Sequence, residues 1–117
     1  MEHHIMWHCL LLDLHDDAAL IAAYRDRHRA VPPAVLASIR AAGIEAMDIY
    51  QRDDRLVMMM RTGPDFDPEA KAAADASDPA VVAWEAAMSR LQRPLPSAQP
   101  GEKWLPAERI FALDEQG

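Results

Sequence analysis

The sequence is that of a small acidic chain of 117 residues, half of them hydrophobic, with a formal net charge of −7 and a pI of about 5.0. Its length is typical of one domain over residues 1–117, and its acidity argues against nucleic acid or an anionic membrane surface as a partner. No apolar run reaches the roughly 18 residues that cross a bilayer, and a lone cysteine excludes an internal disulfide, so we expect a cytoplasmic protein.

The first third of the chain predicts a strand followed by two helices. Residues 4–14 alternate loosely and are rich in leucine, which is typical of a strand. An aspartate then caps a helix over residues 17–29, and a proline opens a shorter helix over residues 33–42. Gly43 ends that helix, since glycine is the usual residue just beyond a helix C-terminus.

The middle of the chain predicts a hairpin. Residues 44–51 and 55–61 both have the composition of strands, and the acidic pair at 53–54 marks the turn between them. An alanine-rich segment over residues 69–75 then predicts a short helix.

The last third predicts one longer helix and a final strand. Asp78 caps the helix, Pro79 occupies its first position, and the pattern extends to about Gln92. A proline-rich loop follows, and residues 103–113 indicate a strand in which Pro106 requires an edge or a bulge.

This order of elements is that of a βαββαβ, ferredoxin-like α+β fold with extra short helices. All helices of such a fold cover one face of the sheet. The other face needs a cover, which a homodimer that packs sheet on sheet into an α+β barrel provides.

Tyr24 and His28 are the first candidates for chemistry. They are four residues apart in a predicted helix, so both lie on one face, and Leu20 and Val31 extend the same inward stripe. A phenol and an imidazole can form a hydrogen-bonding and proton-transfer pair. A packed tyrosine beside a helix-end histidine explains the same spacing.

Two tryptophans are candidates for ligand contacts. Trp84 shares a helical stripe with apolar residues, which is more typical of a core. Trp104 follows the proline-rich loop, where it can stack on the apolar face of a pyranose or hold the loop in place.

A histidine-rich N-terminal segment raises the question of a metal site. On a strand His4 and His8 share a face and Cys9 points away, and neither these residues nor His3 and His15 match a zinc spacing. We therefore expect no metal, and no glycine-rich phosphate loop or nucleophile motif indicates a cofactor.

Several segments together resemble the L-rhamnose mutarotase family. In the first half they are Asp13–Asp17, the Tyr24 and His28 pair, Pro33, Ser38–Ile44 and Met47–Tyr50. In the second half they are Asp78–Val81, Trp84–Glu85, Met88, Gln92, Leu95–Pro96, Pro100–Trp104 and Arg109–Phe111. The second set is similar to a branch in which some members belong to L-fucose breakdown.

The resemblance implies a dimeric isomerase that interconverts the α and β anomers of a free 6-deoxy-hexose, L-fucose or L-rhamnose, without a cofactor. His28 falls on the family's proton donor, Tyr24 on a sugar-binding tyrosine and Trp84 on the first of two sugar-binding tryptophans. The second tryptophan is Glu85 here, and another sugar-binding tyrosine falls at Met47.

Under this interpretation His28 protonates the ring oxygen and Tyr24 orients the sugar, because a histidine can give and take a proton near neutral pH. The base stays open: water, Glu85 or Glu102. Two alternatives on the same fold are a cofactor-free monooxygenase-like protein and a non-catalytic ligand-binding module.

Overall fold

The computed structural model describes residues 6–116, which form one antiparallel sheet and four α-helices. The elements in chain order are β1 Met6–Leu14, α1 Ala18–Arg27, α2 Pro33–Ala41, β2 Ile44–Arg52, β3 Arg55–Thr62, α3 Pro68–Ala76, α4 Pro79–Ser89, β4 Gln92–Arg93 and β5 Leu105–Ala107, followed by a 3-10 turn at Leu113–Glu115.

Local sequence signals define the helix ends. Asp17, Asp67 and Asp78 precede α1, α3 and α4, and each carboxylate accepts hydrogen bonds from backbone amides of the first turn. Gly43 follows α2 with a φ of +91°, a left-handed conformation that glycine adopts without strain. The chain can therefore turn directly from α2 into β2.

The sheet has the strand order β2-β3-β1-β4, with β5 on the same edge of β1 as β4. The pairs β2–β3, β3–β1 and β1–β4 are all antiparallel. The α+β, ferredoxin-like prediction is confirmed by this arrangement, in which β1 and β3 are central.

The C-terminal third differs from the sequence prediction in two places. Helix α4 ends at Ser89, and Gln92 belongs instead to β4, where it pairs with Leu14. The last strand contains only Leu105–Ala107, because Pro106 offers no backbone donor and the following residues 108–112 have no strand partner. At Gln92, strand pairing outweighed the helical periodicity of the sequence. The predicted final strand over residues 103–113 was too long.

The core lies between the helices and one face of the sheet, called here the inner face. One cluster contains Leu14, Leu56, Tyr24 of α1 and Met88 of α4, and a second contains Ile44, Met58 and Met60. The opposite, outer face carries Leu11, Val57 and Met59, which are partly exposed, and Trp7 and Tyr50, which are exposed. No helix in residues 6–116 is long and apolar enough to cross a membrane.

A buried carboxylate joins β4 to the centre of the sheet. Asp13 is 2 % exposed and accepts two hydrogen bonds from Arg55, of 2.7 and 3.1 Å, while the Arg93 guanidinium lies 3.5 Å away. The hydrogen bonds from Arg55 are the largest cause that lowers the pKa of Asp13 below its ordinary value. The contact between Asp13 and Arg93 fixes the register of β4 against β1, which places Gln92 on the inner face.

Candidate functional site

A cavity of about 880 Å³ lies between the helices and the inner face of the sheet. Apolar side chains of α2, β2 and β3 form much of its wall. The cavity is also lined by every site residue that the sequence predicts: His28, Tyr24, Met47, Trp84, Glu85 and Trp104. The structure thus brings together residues of α1 and its C-terminus, α4, β2 and the loop before β5, which lie far apart in the chain.

Tyr24, His28 and Trp84 form an aromatic group at one side of the cavity. The ring centroids of Tyr24 and His28 are 4.3 Å apart, and the Trp84 ring meets His28 edge-on at 5.3 Å. Tyr24 is on α1, His28 is the C-cap residue of that helix, and α4 supplies Trp84. This packing fixes the position of the imidazole within the wall.

The backbone sets the tautomer of His28. Its Nδ1 lies 2.8 Å from the main-chain carbonyl oxygen of Tyr24. A carbonyl oxygen only accepts, so Nδ1 carries the hydrogen and donates it. Nε2 is therefore the ring nitrogen that remains available to exchange a proton with a ligand.

Tyr24 stays a neutral phenol over the physiological pH range. Its side chain is 4 % exposed, and this burial, followed by the nearby Glu85 carboxylate, raises its pKa to about 12. The nearby Gln92 amide acts in the opposite direction and lowers this pKa. Tyr24 is therefore suited to orient a ligand through its hydroxyl group and unsuited to act as a base.

Glu85 is the carboxylate that α4 brings to the cavity. Its Oε2 accepts a hydrogen bond of 2.9 Å from Lys103, which also donates to Ser89 Oγ at 3.0 Å. These contacts hold the end of the proline-rich loop against α4. Glu102, the other acid considered from the sequence, instead accepts a 2.7 Å bond from the Gln99 backbone amide and does not line this cavity.

Trp104 and Met47 complete the wall from the sheet side. Trp104 is partly buried and packs against both core clusters, so it holds the loop in place and also lines the cavity. Met47 lies opposite Met60 on the neighbouring strand and packs on the second cluster. Both contribute apolar surface to the cavity.

The N-terminal histidines do not converge within the part of the chain that the structure describes. His8 Nε2 lies 3.0 Å from Thr62 Oγ1, and Cys9 is on the opposite face of β1. Over residues 6–116 no three His, Cys, Asp or Glu side chains are grouped closely enough to hold a metal ion. His3 and His4 lie outside the described residues.

Gln92 is a polar residue of this wall that was not among the predicted site residues. Other polar residues that line the cavity without having been predicted are Ser38, Arg40, Glu45, Asp48, Tyr50, Lys71 and Asp75. Gln92 lines the cavity, is 8 % exposed, and its side-chain oxygen has no hydrogen-bond partner among residues 6–116. The sequence placed it at the end of α4, where a glutamine is usually solvated. Its place in the apolar stripe of Met88 and Leu91 was the available signal.

Comparisons with known proteins agree with the expected family. The sequence model of the L-rhamnose mutarotase family matches residues 7–113. An L-fucose mutarotase from Xanthomonas campestris is 58 % identical over 109 residues, which cover 92 % of this chain and 87 % of that protein. A UPF0734 protein from Dictyostelium discoideum is 30 % identical over 88 % of this chain and 86 % of that protein.

A solved structure supports the fold independently. The crystal structure of an L-rhamnose mutarotase from Formosa agariphila superposes with a TM-score of 0.67, at 17 % sequence identity. The superposition covers 92 % of this chain and 98 % of the other. At this identity the similarity supports the fold, while the sequence matches carry the relationship.

Proposed function

This chain belongs to the L-rhamnose mutarotase family, isomerases that interconvert the anomers of free 6-deoxy sugars, and we propose that its preferred substrate is L-fucose. The proposal for the sugar rests on the 58 % identity with a protein named L-fucose mutarotase. The reaction opens the hemiacetal ring at C1 and closes it on the other face. It needs one group that donates a proton to the ring oxygen and one that removes the proton of the anomeric hydroxyl.

The observation that carries the mechanism is the hydrogen bond between His28 Nδ1 and the Tyr24 carbonyl oxygen, 2.8 Å long. This bond persists whether the imidazole is neutral or protonated, because Nδ1 carries a hydrogen in both forms. Nε2 therefore changes its protonation state while the ring keeps its position. A fixed ring with one exchangeable proton suits an acid that must take its proton back later in the cycle.

The proton transfers balance within each half of the cycle. His28 in its imidazolium form donates the Nε2 proton to the ring oxygen as the C1–O5 bond breaks, and the base removes the proton of the C1 hydroxyl. The product is the open-chain aldehyde. After rotation about the C1–C2 bond, both proton transfers reverse and the ring closes with the opposite configuration at C1. The cycle regenerates both side chains and requires no cofactor.

We assign the base to Glu85, acting directly or through one water molecule. Glu85 lines the cavity, and it lies close enough to Tyr24 to raise the pKa of the phenol. Lys103 holds Oε2 at 2.9 Å, which leaves Oε1 to act on the sugar. Glu102 is the weaker candidate, since its side chain is used inside the loop.

The apolar lining suits a 6-deoxy sugar. Trp84 and Trp104 offer aromatic surface for the C–H face of a pyranose ring. Met47, Met58 and Met60 offer flexible apolar contacts for a methyl group at C5. Tyr24 supplies a hydroxyl group that orients the ring.

We also propose a cytoplasmic homodimer. The outer face of the sheet presents Leu11, Val57 and Met59 partly exposed, together with the exposed rings of Trp7 and Tyr50. A second copy that packs on this face would bury those side chains and stabilise a chain of only 13.1 kDa. Light scattering that gives the monomer mass at micromolar concentration would contradict the dimer.

Exchange NMR spectroscopy of the anomeric protons tests the function, with L-fucose and L-rhamnose measured side by side. We expect the protein to accelerate exchange of both sugars above the spontaneous rate, and L-fucose more at equal concentration. Binding without accelerated exchange would instead favour the ligand-binding module, and an absorbance change with an aromatic or haem-like ligand would favour the monooxygenase-like alternative. The family relationship favours neither alternative.

A further inference from the structure

We propose that the side-chain oxygen of Gln92 accepts a hydrogen bond from one ring hydroxyl of the bound sugar, which makes Gln92 a specificity-determining residue of the cavity. The proposal rests on the proposed function, since it requires a sugar in this cavity. It assigns a polar contact to a wall that otherwise offers mostly apolar surface.

The burial of Gln92 is the first argument. The residue is 8 % exposed, and Oε1 is inaccessible and without a partner among residues 6–116. An unsatisfied buried acceptor costs folding free energy, and buried polar side chains usually have partners for that reason. The Gln92 side chain lines the cavity, so a small rotation of its amide would expose Oε1 to a ligand seated there.

The orientation of the amide is the second argument. Gln92 and Tyr24 line the same cavity and are both almost fully buried. The Gln92 amide acts to lower the pKa of Tyr24, which is the direction expected when its Nε2 points towards the phenol oxygen. With Nε2 on that side, Oε1 is left for another donor.

The Tyr24 hydroxyl group lines the same cavity as Gln92. As a neutral phenol it can donate its hydrogen to the sugar. The two side chains together would present one donor, the Tyr24 hydroxyl, and one acceptor, Gln92 Oε1. A pair of neighbouring sugar hydroxyl groups matches such a set, because each hydroxyl both donates and accepts.

The framework keeps Gln92 in this position. Gln92 pairs with Leu14 in the sheet, and its neighbour Arg93 pairs with the buried Asp13. A side chain held by a strand presents its polar end more reproducibly than one on a loop. Placement on β4 therefore favours a specificity role over an incidental contact.

L-Fucose analogues that lack one hydroxyl group test the proposal, with binding measured by the fluorescence of the cavity tryptophans. For the wild-type protein we expect the Kd to rise roughly 3- to 10-fold when the hydroxyl that pairs with Gln92 is removed, among the 2-, 3- and 4-deoxy sugars. The Gln92→Met variant should bind L-fucose itself roughly 3- to 10-fold more weakly than the wild-type protein does. In that variant, removal of the same hydroxyl group from the sugar should change the Kd less than about twofold. Gln99→Met is the matched control, since Gln99 is exposed in the loop and outside the cavity.

Two results would overturn the proposal. One is that all three deoxy sugars bind the wild-type protein as tightly as L-fucose, a result that needs no variant to fold. The other is that folded Gln92→Met weakens all the sugars equally and keeps the full dependence on each hydroxyl, as a purely structural residue would. Binding and turnover are separate readouts, so wild-type binding without anomer exchange would refute the proposed function and leave this test intact.

Discussion

The Nδ1–H of His28 donates a 2.8 Å hydrogen bond to the backbone carbonyl of Tyr24, one helical turn earlier. The same two residues also stack, with ring centroids 4.3 Å apart. The helix therefore fixes both the tautomer and the orientation of the imidazole before any sugar binds. Preorganisation of this kind reduces the reorganisation that an acid–base step requires.

Tyr24→Phe is expected to weaken sugar binding and to affect turnover less. The substitution removes one hydroxyl group and keeps the ring that packs against His28, so a loss of roughly 0.5–1.5 kcal/mol is expected, which corresponds to about a 2- to 13-fold rise in KM. Saturation of anomer exchange with L-fucose provides the measurement. A fall in kcat as large as that of a His28 variant would contradict the orienting role.

Glu85→Gln is expected to lower kcat by roughly 10²-fold or more, because the amide cannot accept the anomeric proton as a base does. Glu102→Gln is the matched control and should retain activity, since Glu102 lies outside the cavity. Initial exchange rates at saturating L-fucose provide the comparison. If Glu85→Gln stays within about threefold of wild type, the base is another group.

Much of this candidate site could be predicted from the sequence, because the spacing of residues and the family pattern both indicated α1. Tyr24 and His28 are four residues apart, and helical geometry alone brings them together. Gln92 could not be predicted in the same way. Its place depends on the pairing of β4 with β1 and on the Arg93 contact to Asp13, which are non-local interactions that leave no periodic signal.

Alkaline pH is expected to destabilise the wild-type protein more than Tyr24→Phe. Tyr24 has a pKa of about 12 in the folded protein against an ordinary value of 10.0, so the unfolded chain loses its proton first as the pH rises. The contribution of the neutral Tyr24 phenol to the free energy of unfolding is fully present below pH 10. Roughly 2–3 kcal/mol of it is lost between pH 10 and 12. Urea unfolding at several pH values measures this, with Tyr50→Phe as the exposed control, and parallel curves for wild type and Tyr24→Phe would contradict it.

Asp13→Asn is expected to destabilise the fold at neutral pH by about 1–3 kcal/mol, because it leaves Arg55 and Arg93 without their buried partner and both arginines are partly solvated. Asp13 has a lowered pKa, so its contribution is present above the ordinary value of 3.8 and is lost as the pH falls through the folded-state pKa. The difference in urea midpoint between wild type and Asp13→Asn should therefore shrink below pH 3.8.

Asp26→Asn is the control for this ion pair, since Asp26 contacts Arg29 at the exposed surface. It should change the urea midpoint little at any pH. A gap between wild type and Asp13→Asn that keeps its full size in strong acid would show that charge at Asp13 is not what stabilises β4.

The elements up to α4 were predicted more accurately from the sequence than the C-terminal end of the chain. Aspartate caps and prolines gave the starts of α1, α2 and α4 correctly, because capping depends on neighbouring residues. The Asp67 cap and Pro68 at the start of α3 were not recognised. The last strand was overestimated, since Ile110 and Phe111 have strand-like composition but are exposed and have no strand partner. Composition reports propensity, while a strand also needs an available edge.

The anomer exchange rate of L-fucose with His28→Ala, compared with wild type at equal protein concentration, tests the central claim most directly. We predict a fall of roughly 10²–10⁴-fold with the fold retained, because the variant lacks the group that we propose protonates the ring oxygen. His15→Ala is the matched histidine control and should exchange L-fucose at the wild-type rate. A folded His28→Ala protein whose exchange rate stays within about threefold of wild type would contradict the mechanism.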